Sequence, residues 1–316
     1  MSNSDVIVIH MKQRLYILLS FLCLAQVSSA FTRLTAEQYQ FISLDGSVGY
    51  ASLLNNSETI KPGKGVAANI GVGYRFYRNY FLLSAGVEGY YLHNTYSMSD
   101  MKLNLDMIDT EGQPFVLTVD ATGGSDECHT ISLNLPILLG AEIKRFYFLV
   151  GPKLSYNFWG QAAMNGNMSL SADYERYIQP FEDMPNHGLE KDRPIEESPK
   201  PLSWNFDVMA HAEVGVRLGE VDFLSGFDAF SSSVRYYLSV YADYGLLNIR
   251  KSGAVDKRMK FDESRQSSEN MIPIAFTPAI MSTEMGDAAV HQYQVGVKMT
   301  ILFELPQKKG GTQWMH

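Results

Sequence analysis

The stretch Val66-Ala67-Ala68-Asn69-Ile70-Gly71-Val72-Gly73-Tyr74-Arg75-Phe76-Tyr77 decides the fold. Val66, Ala68, Ile70, Val72, Tyr74 and Phe76 share one parity; Ala67, Asn69, Gly71, Gly73, Arg75 and Tyr77 share the other. Successive side chains of a β-strand point to opposite faces, so this is a ribbon with one apolar side. The same period runs through 131–143, where Ile131, Leu133, Leu135, Ile137, Leu139, Ala141 and Ile143 oppose Asn134, Gly140 and Glu142. It recurs over 204–218, with Trp204, Phe206, Val208, Ala210, Ala212, Val214, Val216 and Leu218 against Asp207, His211, Glu213 and Arg217. It recurs again over 293–303, with Tyr293, Val295, Val297, Met299, Ile301 and Phe303 against Gln294, Gly296, Lys298 and Thr300. Weaker versions occupy 41–53, 81–93, 146–159 and 234–246, which brings the count to eight.

The connections alternate in length. Only Arg78-Asn79-Tyr80 and Lys144-Arg145 separate two of the pairs, whereas 54–64, 94–129, 162–203 and 247–289 are long. Short turns at one end and long polar loops at the other are the pattern of a membrane-spanning barrel. The connection 219–233 departs from it, being long where a short turn is expected and carrying Phe223, Leu224, Phe227 and Phe230. Either the seventh strand starts early there or a small interfacial element intervenes. The expected fold is therefore all-β: an eight-stranded antiparallel up-and-down transmembrane β-barrel with long extracellular loops.

A soluble, lipocalin-like barrel also alternates, with its apolar side inward around a ligand. Three features favour the membrane. The segments are 11–15 residues long, above the ~9–11 that a tilted spanning strand needs. Aromatics gather at segment ends (Tyr74, Phe76, Phe81, Phe146, Phe148, Tyr244, Phe303), where interfacial girdles fall. The third feature is the N-terminus: Lys12 and Arg14 precede the apolar run Leu15 to Ala25, and Ser28-Ser29-Ala30 follows. That is the layout of a secretory signal, read from Met11 and cleaved after Ala30; the alternative is an N-terminal anchor helix. Leu22 before Cys23 argues against a lipoprotein site. The expected organisation is a signal peptide at 1–30, an outer-membrane barrel at 31–305 and a periplasmic tail at 306–316.

Composition excludes other classes. Hydrophobic residues are 46% and charged residues 19% of the 316, with 25 Gly, 18 Tyr, 17 Phe and 2 Cys; collagen, coiled coil, disulfide scaffold and disordered chain are ruled out. Cys128 is the single cysteine after Ala30, so export does not serve an internal disulfide. Without Asp5, Lys12 and Arg14 the chain keeps 24 basic and 33 acidic residues, a net charge of −9. That balance argues against nucleic acid as a partner.

With the apolar face in lipid, the other face lines the lumen. It holds Asp45, Glu88, Glu142, Asp207, Glu213 and Asp243 with Arg75, Lys153, Arg217, Arg235 and Lys298, and His211 beside Asp207 and Glu213. Charges in so narrow a space must be paired. Eight strands leave room for side chains and no aqueous pore, so this set reads as an interior charge network filling the barrel; a narrow ion path is the sharper alternative. Pro136 and Pro152 fall inside segments and are expected at local bulges.

Residues 133–140 (Leu-Asn-Leu-Pro-Ile-Leu-Leu-Gly) and 146–156 (Phe-Tyr-Phe-Leu-Val-Gly-Pro-Lys-Leu-Ser-Tyr) resemble the PorT-type outer-membrane β-barrel family of Bacteroidota. There an LPLLLK-like strand leads through a tight turn into a YxxxGP strand. The resemblance covers 40–303 in layout and is specific over 133–156. It implies an eight-stranded barrel of OmpA-like architecture in a Gram-negative outer membrane. Many members of that family have no assigned activity, and some serve a protein-secretion system.

The net charge resides in the loops. Residues 94–128 hold Asp100, Asp106, Asp109, Glu111, Asp120, Asp126 and Glu127 against Lys102 alone, and 162–203 hold eight acids against four bases. Such a surface repels anionic lipopolysaccharide and attracts cations or basic partners. Asp106, Asp109 and Glu111 match no calcium-loop spacing, so neither metal nor cofactor is expected. Residues 180–201, with five prolines and scattered charges, read as mobile and coreless. His93 and His129, near Ser97, Asp100 and Asp126, are the candidates for a rim catalytic pair, though no G-x-S-x-G motif accompanies them. The expectation is a monomeric, non-enzymatic scaffold or partner-binding protein amid outer-membrane lipid and lipopolysaccharide, with a protein partner at its extracellular loops. An outer-membrane enzyme of acyltransferase, lipase or protease type, a secretion-machine component and a small-solute channel are the alternatives.

Overall fold

The computed structural model describes residues 38–305 except 58–59, 98, 110, 196, 225–230, 252–255, 266–271 and 286–287. The signal peptide, the C-terminal tail, Phe227 and Phe230 lie outside the described residues. In chain order the strands are β1 (Gln38–Asn55), β2 (Lys64–Arg78), β3 (Phe81–Ser97), β4 (Met101–Ile108), β5 (Pro114–Ile143), β6 (Phe146–Asp173) and β7 (Phe181–Glu182). They continue as β8 (Arg193–Pro194), β9 (Lys200–Pro201), β10 (Asp207–Leu224), β11 (Ser231–Gly245), β12 (Met259–Phe261), β13 (Ile274–Phe276) and β14 (Val290–Glu304).

Eight of these close a ring: β1 pairs with β2, β2 with β3, β3 with β5, β5 with β6, β6 with β10, β10 with β11, β11 with β14, and β14 with β1. The seam is long and in register from Phe41↔Glu304 to Asn55↔Val290. At Gly49↔Gly296 the two backbones approach so closely that a Cβ on Gly49 would lie 2.4 Å from the Val295 carbonyl. Both predicted tight turns form, with Asn79 (φ 55) and Lys144 (φ 60) in the left-handed region as the first turn residues.

The period of two is reproduced with its apolar side outward. Val48, Val66, Ile70, Val72, Leu135, Ile137, Val214, Val240 and Val297 all stand exposed around the ring, Ile70 by 69%. Their inward neighbours are buried or half-buried. A soluble barrel has the opposite arrangement, so the outer band is a surface made for acyl chains. Tyr50, Tyr91, Trp159 and Tyr244 mark one edge of the band, and Phe81, Phe146 and Phe303 the other.

Three expectations are corrected, and the alternatives at 219–233 are resolved. The segment 94–129 is strand for most of its length, and 162–203 is strand at its start and at three short later pieces. β5 and β6 run 30 and 28 residues and stay paired up to Val116↔Asp173. Residues 114–130 therefore add roughly 50 Å of strand beyond the spanning part, at about 3.3 Å per residue. Residues 180–201 are not coreless, because β7, β8 and β9 each pair with β6, and Leu189 and Ile195 are buried. The 219–233 connection resolves into strand extension, since β10 continues to Leu224 and β11 begins at Ser231, leaving six residues between them. The prolines need no bulge: Pro136↔Lys153 and Leu139↔Val150 share one register, so the ladder merely skips the pairs near Pro152. The register shifts fall elsewhere, at Thr122/Ser125, Ile131/Ser132 and Arg217/Gly219.

Candidate functional site

The lumen is built in layers. At the end with the tight turns, Phe41, Tyr77, Leu82, Leu138, Tyr147, Leu149, Tyr237 and Leu302 form an apolar floor. Inward positions one to three steps further along seven of the eight ring strands carry charge: Asp45 on β1, Arg75 on β2, Glu88 on β3, Lys153 on β6, His211 and Glu213 on β10, Asp243 on β11 and Lys298 on β14.

These eight side chains meet in one network. Lys153 Nζ lies 3.0 Å from both Glu88 and Asp243. Lys298 Nζ reaches Glu213 (3.3 Å), Glu88 (3.4 Å) and Asp45 (3.7 Å). The Arg75 guanidinium faces Asp45 at 3.6 Å and Glu213 at 3.9 Å. His211 has Nδ1 at 2.5 Å from Asp243 and Nε2 at 3.3 Å from Glu213. A neutral imidazole carries one N–H, whereas both ring nitrogens here face carboxylate oxygens, which accept only. The imidazolium satisfies both and makes four positive charges against four negative. Hydroxyls complete the shell: Tyr147 and Ser239 donate to Glu213, and Thr300 and Ser43 to Asp45. Glycines make the room, as a Cβ on Gly71 would meet the Glu88 side chain at 2.7 Å.

The remaining predicted residues stand apart from this centre. Glu142, Arg217 and Arg235 form a second, partly exposed cluster at the tight-turn end, joined through Glu220: Arg217–Glu142 is 3.6 Å, Arg217–Glu220 3.1 Å and Arg235–Glu220 2.9 Å. Glu220 escaped the sequence reading because strict alternation places it outward. The shift between Arg217 and Gly219 inverts parity and turns it inward opposite Arg235. Asp207 is buried but joins neither cluster; it accepts the Leu247 N–H at 3.1 Å at the external end of β10. Trp204, expected outward, is buried with its Nε1–H donating to Thr130 at 3.0 Å, since β10 begins only at Asp207.

Above the charges lies an apolar plug. Ala51, Leu53, Ala67, Tyr90, Leu92 and Tyr96 from β1, β2 and β3 enclose Ile249, Ala279, Ile280 and Met285 from the 247–289 connection. Arg250 pins that turn by donating to the Ile280 and Ser282 carbonyls, both at 3.1 Å, and Asp126 accepts the Ala279 N–H. Further out, Leu117, Val119, Met164, Met168 and Leu170 on the extended β5–β6 sheet pack with Leu189, Ile195, Met259, Ile274 and Phe276. Lys200 donates to the Phe276 carbonyl (2.5 Å) and Glu197 accepts its N–H (2.9 Å), which ties the two long connections together. The result is a folded cap at the end of the barrel opposite the tight turns.

The register brings His93 and His129 side by side on the outer face, directly opposed across β3 and β5. Asp126 has the other parity, is fully buried under the plug, and is not beside them. Ser97 ends β3, while Asp100 lines an open groove of about 530 Å³ on the cap with Lys102, Asp120, Glu182, Asp183 and Lys191. Asp109 shapes a turn by accepting the Glu111 and Gln113 N–H groups. Among the described residues, no three His, Cys, Asp or Glu side chains converge as a metal cluster.

No family model matches the chain, and no curated protein matches it. Two solved structures are similar to it. Neisserial surface protein A shares 9% identity over 82% of this chain and 96% of that one, with a TM-score of 0.27. The P. putida toluene transporter TodX shares 9% identity over 87% of this chain and 91% of that one, with a TM-score of 0.20. The closed ring of eight antiparallel strands with an outward apolar band establishes an outer-membrane-type β-barrel fold on its own geometry.

Proposed function

We propose that the protein is a non-enzymatic outer-membrane scaffold that holds a folded, acidic cap outside the cell for a protein partner to bind. The observation that carries this reading is the filling of the lumen, with an apolar floor, an ion-paired centre and an apolar plug following one another along its axis. A channel needs a continuous polar path, and two apolar layers interrupt it here. The barrel thereby reads as an anchor, and the surface offered to a partner is the cap. The PorT-type resemblance at 133–156 agrees with this placement and adds a secretion machine as one setting for the partner.

Planar-bilayer recording of the refolded chain tests the reading. The expected outcome is no steady single-channel conductance at neutral pH; stable channels would replace the scaffold with a pore. Photocrosslinking from cap positions such as Ile178, which is fully exposed, on intact cells is expected to trap a discrete protein.

A further inference from the structure

The paired histidines at the rim belong neither to the lumen nor to the cap core. His93 and His129 occupy facing positions of β3 and β5, with ring centroids 4.6 Å apart and an interplanar angle of 29°. Both lie on the outward face, one step external to Tyr91 and Ile131. The Tyr91 hydroxyl sits 2.8 Å from His129 Nδ1, while His93 Nδ1 is buried with no hydrogen-bond partner. We propose that His93 and His129 together bind a divalent transition-metal ion of the zinc, copper or nickel class at the external rim of the barrel.

The chemistry follows from what two such rings can do. Each ring offers an in-plane nitrogen lone pair of the kind that ligates metal, and the cross-strand pairing sets two of them side by side on one face. Imidazole nitrogen suits borderline ions rather than calcium or magnesium, which take oxygen. The Tyr91 oxygen can accept from His129 Nδ1–H, which fixes the ring and leaves Nε2 as the donor atom to metal, the usual outer-shell arrangement. Cys128 points to the buried side and takes no part. Glu127, two residues along the same face, adds a carboxylate to that side of β5, and the acidic cap raises the local cation concentration. Water completes the coordination sphere, so the site is an exchangeable surface site.

The test uses the untagged mature chain refolded in detergent, titrated with Cu(II) and followed by electron paramagnetic resonance. One equivalent is expected to give hyperfine structure from two imidazole nitrogens, displaced by Zn(II). His93→Gln and His129→Gln are each expected to abolish the two-nitrogen spectrum, and Tyr91→Phe to weaken binding by about 10-fold. A two-nitrogen spectrum that survives in the double variant, or a one-nitrogen spectrum in the unaltered protein, overturns the proposal. Should the variants fail to fold, the unaltered protein decides. Zn(II) is expected to protect His93 and His129 from diethyl pyrocarbonate, and equal modification with and without Zn(II) overturns the site.

Discussion

Lys153 shows how much a single interior side chain carries. It is 1% exposed and lies 3.0 Å from two carboxylates that are themselves buried. Lys153→Met fills similar space but strands Glu88 and Asp243, and breaking a buried pair in this way costs about 3–5 kcal/mol. Urea unfolding in lipid vesicles is expected to show that loss, with a smaller one for Lys102→Met, whose partner Asp120 is exposed. Asp126 supplies the pH-dependent contact. It lies external to the spanning part of β5 (131–143), and burial pushes its carboxyl up to about 6, against the opposing pull of the Ala279 N–H and of Arg258. The ordinary value is 3.8, so the folded state binds the proton more tightly than the unfolded one. Its contribution is fully present below about pH 4 and is lost as pH rises through about 6, a change of roughly 3 kcal/mol at most. Hydrogen exchange at 279–285, corrected for intrinsic rates, is expected to be slower at pH 5 than at pH 7.5. Asp126→Asn keeps an oxygen acceptor and is expected to flatten the difference.

Among the elements, the long β5–β6 pair explains why the external segments are ordered. β4 and the short β7, β8 and β9 have too few ladder bonds to stand alone; each is held because the extended sheet offers both hydrogen-bonding edges and an apolar face. Ile195 is the contact that seats the β8 region in that core. Ile195→Asp is expected to release the segment, so that trypsin cleaves after Lys191 on intact cells while the unaltered chain resists. Unchanged resistance would show that the strand pairings alone suffice. The barrel strands themselves are expected to withstand the digestion in either case.

At the scale of the whole molecule, the barrel is closed and its lumen is full, and the two facts support one another. Closure removes the edges a sheet would expose, and the filled centre ties seven strands across the lumen through charges that no pair of neighbours could neutralise alone. Such a body is expected to survive sodium dodecyl sulfate at room temperature and to migrate differently on a gel after boiling. Identical migration of boiled and unboiled protein would count against the closed barrel.

Alternation through eight segments sorted the ring side chains into two faces, because a period of two assigns each to a face before any partner is known, while connection length gave the tight turns and strand length and terminal aromatics turned the apolar face outward. It also named the eight charged residues of the central network, which need only point inward to find one another in so narrow a lumen. Tertiary structure alone decided the rest. The parity change at Arg217/Gly219 brought in Glu220 and set the second cluster apart; the register of β3 on β5 set His93 against His129. The cap looked like polar loop because its strands bury one thin face against connections distant in sequence, such as Ile195 against Phe276. Contacts between segments some eighty residues apart leave no periodic trace in either one, and only folding brings them together.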